Sequence, residues 1–274
     1  MGTFGLISIA LFIILGSLAG FLAGMLGIGG GIILVPLFLW VFATAGFSHE
    51  VLVHVALGTS LAVIIPTAIS STFGHRKRGN VIWHQVVSLC IGGAAGAFIG
   101  ASLAAQLSGV WLKGLFGLMQ MLVALQLVIF SPRLPPERTD PVPLLQLLAV
   151  GLAAGIFSAF FGVGGGVIAV PLMVIVLGFP IHLAVGNSSA LIVVASLAGA
   201  LSYMLHGWGI QLLPPYSLGY VNYLVFCLVT PFTVIAARLG VRVASRTSHD
   251  KLVKVFAVLL VLVGLRMILS AWFI

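Results

Sequence analysis

Long apolar runs alternate with short polar segments along the whole chain, the pattern of a protein that crosses a membrane many times. The second and seventh runs are shorter than the roughly 20 residues that a full crossing needs, so we expect tilted, half-membrane or re-entrant elements there and about eight to ten spans in total. The runs lie at roughly 4–26, 32–47, 51–73, 83–107, 110–130, 142–161, 167–179, 182–205, 217–239 and 251–273.

The pattern occurs twice. Residues 20–36 read GFLAGMLGIGGGIILVP and residues 155–171 read GIFSAFFGVGGGVIAVP, with the glycine triplet and the following proline in register. HVALGTS at 54–60 likewise matches HLAVGNS at 182–188. We therefore predict an all-α integral membrane protein of two repeats, each with about five helical segments. The predicted division is residues 1–130 for the first repeat, 131–143 for a linker and 144–274 for the second.

Loop charges give the repeats opposite orientations. An odd number of segments in each repeat would insert the second copy from the opposite side of the membrane. The loop at 75–80 carries Arg76, Lys77 and Arg78, whereas its counterpart at 206–211 carries no Lys or Arg. The segment 238–254 is basic, whereas its counterpart around Lys113 is nearly neutral. Because Lys and Arg favour the cytoplasmic side, we expect a cytoplasmic linker, external termini and inverted repeats.

Composition supports an integral membrane protein with many spans: 61% of the residues are hydrophobic and only 6% are charged. The net charge of +8 is explained by basic loops, so we expect no nucleic-acid partner. Two cysteines, both inside apolar runs, are too few for a disulfide framework or a metal site, and no cofactor is expected. The N-terminal apolar run lacks a basic leader, and we interpret it as a span.

The glycine triplets predict broken helices inside the membrane. Three adjacent glycines hold a helix poorly, and unpaired backbone in hydrocarbon costs several kcal/mol per group unless protein or a wet cavity surrounds it. The predicted spans contain almost no acidic side chains but many donors, and helix starts after the glycines would direct N–H groups to one place, which suits an anion. The candidate substrate-binding residues are Gly29, Gly30, Gly31, Thr59, Ser60, Gly164, Gly165, Gly166, Gly186, Asn187, Ser188 and Ser189.

Each of these features also has a purely structural interpretation. Glycines let membrane helices pack closely, which we prefer for Gly92, Gly93, Gly96 and Gly100. Ser and Thr hydroxyls can bond to their own helix, and Asn187 can join two helices. For His54 and His182 we prefer interfacial packing to proton coupling, and Arg266 either extends to the interface or steers anions. No arrangement typical of catalysis stands out, so we expect no catalytic residues.

The chain resembles the sulfite exporter TauE/SafE family, also called the four-toluene sulfonate uptake permeases. The resemblance rests on four motifs: GMLGIGGGIILVP, FFGVGGGVIAVP, ALGTS and AVGNSSA. The resemblance implies a bacterial or archaeal inner-membrane secondary carrier for sulfite, sulfoacetate or other organosulfonates. It assigns a permeation role to Gly29–Gly31, Gly164–Gly166 and Gly186–Ser188. Thr59 stands where the second copy has Asn187, so the two half-sites are expected to differ.

The leading hypothesis is a carrier for a small anion that alternates access around a midplane site, with membrane lipid as its surroundings. A passive anion channel and a non-transporting scaffold or membrane enzyme remain as alternatives. The sequence leaves open which anion moves, in which direction and with which coupling ion. It also leaves the oligomeric state open, a homodimer included.

Overall fold

The computed structural model describes residues 6–26, 30–129, 141–244 and 249–272, and within them the chain forms ten α-helices. Five helices belong to each predicted repeat, so the all-α prediction is confirmed. Residues 131–140 of the predicted linker lie outside the described residues. The helices are α1 Leu6–Leu26, α2 Gly31–Thr44, α3 His49–Lys77, α4 Trp83–Gln106, α5 Gly109–Ile129, α6 Leu144–Phe160, α7 Gly166–Ile175, α8 Ile181–His206, α9 Tyr223–Ala244 and α10 His249–Trp272.

Helix lengths follow the apolar runs. Among the described residues, four stretches are long and apolar enough to cross a membrane: α3, α4, residues 109–126 of α5, and α8. The second and seventh helices are short as predicted, with 14 residues in α2 and 10 in α7. Large apolar side chains cover the outer surface, for example Leu145 at 77% and Ile91 at 61% exposure. Contiguous apolar surface of this kind fits contact with lipid.

The prediction of one helical run over 217–239 is wrong at its start. Residues 217–222 form a two-stranded antiparallel hairpin, with Ser217 paired to Asn222 and Leu218 to Val221. The side chain of Asn222 explains the boundary. Its Oδ1 accepts the Val225 N–H at 3.0 Å and caps α9, while its Nδ2 donates to the Pro215 carbonyl at 3.1 Å and to Ser217 Oγ at 3.2 Å.

The two halves interlock instead of folding side by side. The first helix of each half packs against the fourth helix of the other, giving the pairs α1 with α9 and α6 with α4. Glycines make this approach close: a Cβ on Gly20 would meet the main chain of Thr233, and a Cβ on Gly155 would meet that of Gly93. The third helices pair as α3 with α8, and the fifth as α5 with α10.

The predicted packing role of the α4 glycines is confirmed. Gly92, Gly96 and Gly100 all lie against the main chain of α6, and Gly93 lies against the Leu191 side chain of α8. Because each added Cβ would overlap an atom of the neighbouring helix, these glycines set the distance between helices.

The central pair, α3 and α8, runs antiparallel. Ser71 near the end of α3 meets Ser189 near the start of α8, with the two hydroxyl oxygens 3.1 Å apart. At the other end, Gly58 near the start of α3 packs against Tyr203 near the end of α8. These two equivalent helices therefore point in opposite directions.

Candidate functional site

The glycine triplets interrupt the helices in both halves, as predicted. Gly30 has φ 83° and precedes α2, and Gly165 has φ 82° and precedes α7. Gly164 lies in the same left-handed region with φ 81°. An L-residue at these positions would be strained, which is the physical reason for glycine. Gly29 lies outside the described residues.

The two glycine motifs meet each other. A Cβ on Gly31 would overlap the main chain of Val163, which lies in the turn just before Gly164. Gly164 packs on the side chains of Ile64 and Ile192, and both Gly31 and Gly164 are buried. The start of α2 and the turn before α7 therefore form one junction at the interface between the halves.

Two helix starts are left without side-chain caps at this junction. Neither Gly30 nor Gly165 has a side chain that could accept the first N–H groups, and among the described residues neither α2 nor α7 has a side-chain cap. Helix N-termini carry partial positive charge, so the arrangement is favourable for an anion. Gly165 also lies against Ser158, whose hydroxyl is buried and has no hydrogen-bond partner among the described residues.

Ser60 and Ser188 occupy equivalent places but have different partners. The hydroxyl of Ser60, on α3, donates to the Gly162 carbonyl of the second glycine motif at 2.9 Å. The hydroxyl of Ser188, on α8, is 1% exposed and has no hydrogen-bond partner among the described residues. One predicted donor is therefore used within the protein, and the other is available.

Thr59 and Asn187 each hold a loop of the opposite half. Thr59 Oγ1 accepts the N–H of Asn222 at 3.0 Å, and Asn187 Oδ1 accepts the N–H of Ile82 at 2.9 Å. Asn187 Nδ2 also donates to Gln85 Oε1 at 3.4 Å. Both acceptors are fully buried, so each bond replaces water for a main-chain donor.

The glycines before these two residues make the loop contacts close. A Cβ on Gly58 would overlap the carbonyl of Tyr220, and a Cβ on Gly186 would overlap the carbonyl of Asn80. The loops they meet have corresponding sequences, GNVIW at 79–83 and GYVNY at 219–223. Each half therefore makes the same contact with the other: a glycine of the third helix packs against the loop that follows the third helix of the opposite half.

Ser189 and Gly166 complete the predicted set. Ser189 Oγ donates to the Val185 carbonyl of its own helix at 2.9 Å and meets Ser71 across the α3–α8 interface. Gly166 is buried and is the first residue of α7. The substrate-binding role of all these residues stays a prediction. In addition, the side chains of Asn187, Thr59 and Ser60 each form a hydrogen bond with the main chain of the opposite half.

The two predicted histidines have different surroundings. His54 is 5% exposed and its Nε2 lies 3.2 Å from the Ala104 carbonyl and 3.1 Å from the Leu107 carbonyl, so an N–H donates toward the end of α4. Its ring stacks on Tyr220 with centroids 4.9 Å apart. His182 is exposed.

Among the buried polar residues that were not predicted, three make contacts at or near the site. Asn222 holds the hairpin, and Ser158 lies beside Gly165. Gln120 is 1% exposed and its Nε2 donates to the Ile32 carbonyl at 3.0 Å. The sequence carried a weak signal for each, namely a polar residue within an apolar run whose aligned partner is apolar: Ile82, Ala23 and Leu260, respectively.

The glycine junction itself is tightly packed. Neither Gly31 nor Val163 lines the cavity between α2, α5 and α10 or the one at the 207–219 loop, although the first of these reaches the neighbouring residue Ile32.

Comparison with known proteins gives the chain's relatives. The family model described as "Sulfite exporter TauE/SafE" matches residues 12–267. A "Probable membrane transporter protein" of Haemophilus influenzae is 31% identical over 96% of this chain and 98% of its own length. The "Probable membrane transporter protein YunE" of Bacillus subtilis is 27% identical, over 97% of this chain and 99% of its own.

The similarity extends to an archaeon. A "Probable membrane transporter protein" of Methanocaldococcus jannaschii is 27% identical over 96% of this chain and 97% of its own length. Coverage of this kind leaves no large unmatched segment on either side of the comparison. The chain is a membrane protein that belongs to the sulfite exporter TauE/SafE family.

Proposed function

We propose that the chain is an inner-membrane secondary transporter for small sulfur-containing oxyanions, such as sulfite, sulfoacetate or other organosulfonates. The observation that carries the proposal is the junction of the glycine motifs, where α2 and α7 begin without side-chain caps. Membership of a family named for sulfite export agrees in chemical class. An oxyanion with several acceptor oxygens can bind the N–H groups at such helix starts.

Alternating access is the proposed mechanism. The antiparallel course of α3 and α8 supports inverted repeats, because equivalent helices that cross a membrane in opposite directions belong to oppositely oriented copies. Rocking one half against the other would open the contact of Gly31 with Val163 to one face at a time. The unpartnered hydroxyls of Ser158 and Ser188 would then bond to the anion.

The mechanism relies on small differences in free energy. The bonds of Ser60 to Gly162, Thr59 to Asn222 and Asn187 to Ile82 each contribute about 1 kcal/mol net. An anion that bonds to the same donors can replace some of them at little cost. Transport is thus proposed in place of catalysis, since the described site has donors but no pair of nucleophile and base.

Flux into proteoliposomes tests this proposal. Purified protein would be reconstituted, and the uptake of labelled sulfite, sulfoacetate and taurine would be followed with and without ion gradients. Accumulation of an anion above its external concentration supports a secondary transporter, whereas strictly downhill flux indicates a passive channel. No flux of any small anion under any gradient contradicts the proposal and favours a scaffold or enzyme.

A further inference from the structure

A cavity of about 310 Å³ lies between α2, α5 and α10, next to the residues that follow the first glycine motif. One end is closed by Ile32, Gln120 and Leu260, which are each 1% exposed. The other end reaches Ala43, an exposed residue near the end of α2. The volume corresponds to on the order of ten water molecules, so a small anion could enter with part of its hydration shell.

The charges that line this cavity have one sign. Lys113 of α5 and Arg266 of α10 both contribute to its wall, and none of the described lining residues is acidic. Arg266 is exposed and Lys113 half-buried. Two cations beside apolar walls, without a carboxylate to neutralise them, create a positive potential that concentrates anions.

The closed end of the cavity is connected to the first glycine break. Gln120 Nε2 donates to the carbonyl of Ile32, which lies in the first turn of α2, directly after Gly30 and Gly31. The Oε1 atom of the same amide is buried and has no hydrogen-bond partner among the described residues. A buried acceptor without a partner is costly unless water or a ligand donor satisfies it. The cavity therefore ends in a polar group at the predicted site.

The second half has no equivalent set of polar residues. When the repeats are aligned through Leu112 with Leu252 and Phe116 with Phe256, Lys113 corresponds to Val253 and Gln120 to Leu260. In the same alignment Gln126 stands where the second half has Arg266. The combination of two cations and a buried amide that lines this cavity is thus not repeated at the aligned positions.

We propose that this cavity is an anion-selective vestibule, in which Lys113 and Arg266 concentrate the transported oxyanion before it reaches the first glycine break. The inference rests on the proposed function and adds a consequence. Apparent affinity should be higher from the face onto which the vestibule opens. By the loop charges, that face is the outer one, since α3 and α5 both begin there and α3 ends in the basic 76–78 segment.

Thiol reactivity tests the vestibule without any need for transport. Cys90 and Cys227 are the only cysteines, so replacing both gives a background for a single Val263→Cys in the cavity wall. With each rate divided by that reagent's rate with a small free thiol in solution, an anionic methanethiosulfonate reagent should react there about tenfold faster than a cationic one. Lys113→Gln with Arg266→Gln should bring that ratio close to one. Ala43→Cys at the open end provides a second reporter if Val263→Cys folds poorly.

A control and two contrary results complete the test. Lys77→Gln, an exposed cation at the far end of α3, should leave the ratio unchanged. An equal ratio before and after removal of Lys113 and Arg266 overturns the proposal. A ratio that rises toward ten only when anionic phospholipid is removed from the bilayer shows that a lipid phosphate occupies the cavity, which also overturns it.

Flux then separates this proposal from the proposed function. In proteoliposomes, Lys113→Gln with Arg266→Gln should raise the KM for sulfite about tenfold from the vestibule face and leave kcat within about twofold. High ionic strength should remove the difference from wild type. Wild-type flux with an unchanged KM in the variant contradicts the vestibule alone. No wild-type flux contradicts the proposed function, while the thiol ratio still decides whether the cavity selects anions.

Discussion

The two halves of the molecule share a backbone arrangement and differ in the side chains that surround it. Gly58 and Gly186 make the same close contact with a loop of the opposite half, and both glycine motifs begin a short helix with a left-handed glycine. Yet the acceptor beside the first contact is Thr59 and beside the second is Asn187. Ser60 is bonded and Ser188 is not.

This comparison separates two kinds of constraint. Where backbones touch, any side chain is excluded, so the same residue is required in both halves. Where a side chain only has to accept one N–H, a hydroxyl and an amide both suffice. The side chains that line the cavity are the least constrained, because Lys113, Arg266 and Gln120 each align with a residue of a different type in the opposite half. The two halves therefore combine a common backbone arrangement with different side chains.

The largest expected effect is at the meeting point of the glycine motifs. Gly31→Ala places a Cβ against the main chain of Val163, which cannot move as a side chain can, and should cost about 3 kcal/mol of stability. Thermal unfolding of the purified protein measures this. Gly74→Ala is the matched control, because a Cβ there meets nothing within 4 Å and should leave stability equal or slightly higher. Equal unfolding temperatures for Gly31→Ala and wild type would contradict the described junction.

The next effect tests whether the two loop contacts are equivalent. Gly58→Ala and Gly186→Ala should each destabilise the protein by about 2 kcal/mol, because each added Cβ meets a main-chain carbonyl oxygen. The two losses should be similar although the sites lie in different halves. Unfolding in detergent would compare them. A neutral variant in one half beside a destabilised one in the other would show that the contacts are not equivalent.

Asn187→Ala should have an intermediate effect on stability and a larger one on transport. Removal of the amide leaves the Ile82 N–H without its acceptor, which costs about 1–2 kcal/mol. Anion flux in proteoliposomes should fall beyond what the reduced amount of folded protein explains. Asn187→Thr, which supplies the acceptor that the first half uses, should restore stability in part. Wild-type flux from Asn187→Ala would remove this residue from the site.

The smallest stability effect is expected at Ser188. Its hydroxyl has no partner, so Ser188→Ala should change stability by less than about 0.5 kcal/mol, whereas Ser60→Ala should cost about 1 kcal/mol through the lost bond to Gly162. Flux should show the reverse contrast, with the greater loss in Ser188→Ala. If Ser188→Ala transports like wild type, its hydroxyl does not bind the anion.

Much of the fold could be predicted from apolar periodicity and the repeated motif. The bounds of α4, predicted at 83–107 and found at Trp83–Gln106, follow from a long apolar run ended by polar residues. The short lengths of α2 and α7 could also be predicted, because the glycine triplets limit where each helix can begin. The start of α9 could not be predicted, because it depends on the Asn222 side chain bonding to residues of the preceding loop.

The candidate site was predictable in its residue types and not in its contacts. Repeated glycines, hydroxyls and Asn187 are visible in the sequence, but the pairing of Asn187 with Ile82 joins residues far apart in the chain. Periodicity within one helix contains no information about which loop of the other half lies against it. Gln120 and Lys113 were missed as a pair for the same reason, since only the packing of α5 on α2 and α10 brings them to one cavity.

The most direct test of the central claim, that the halves are inverted copies, is the sidedness of two loops that follow equivalent helices. Arg78 follows α3 and Trp208 follows α8, and both residues are exposed. Arg78→Cys and Trp208→Cys, each made in a cysteine-free background, would therefore place an accessible thiol after each helix. A membrane-impermeant maleimide would be applied to intact cells and to inside-out vesicles. We predict labelling of position 78 only in the vesicles and of position 208 only in the cells. Labelling of both positions from the same side would contradict inverted repeats, and with them a site that opens to one face at a time.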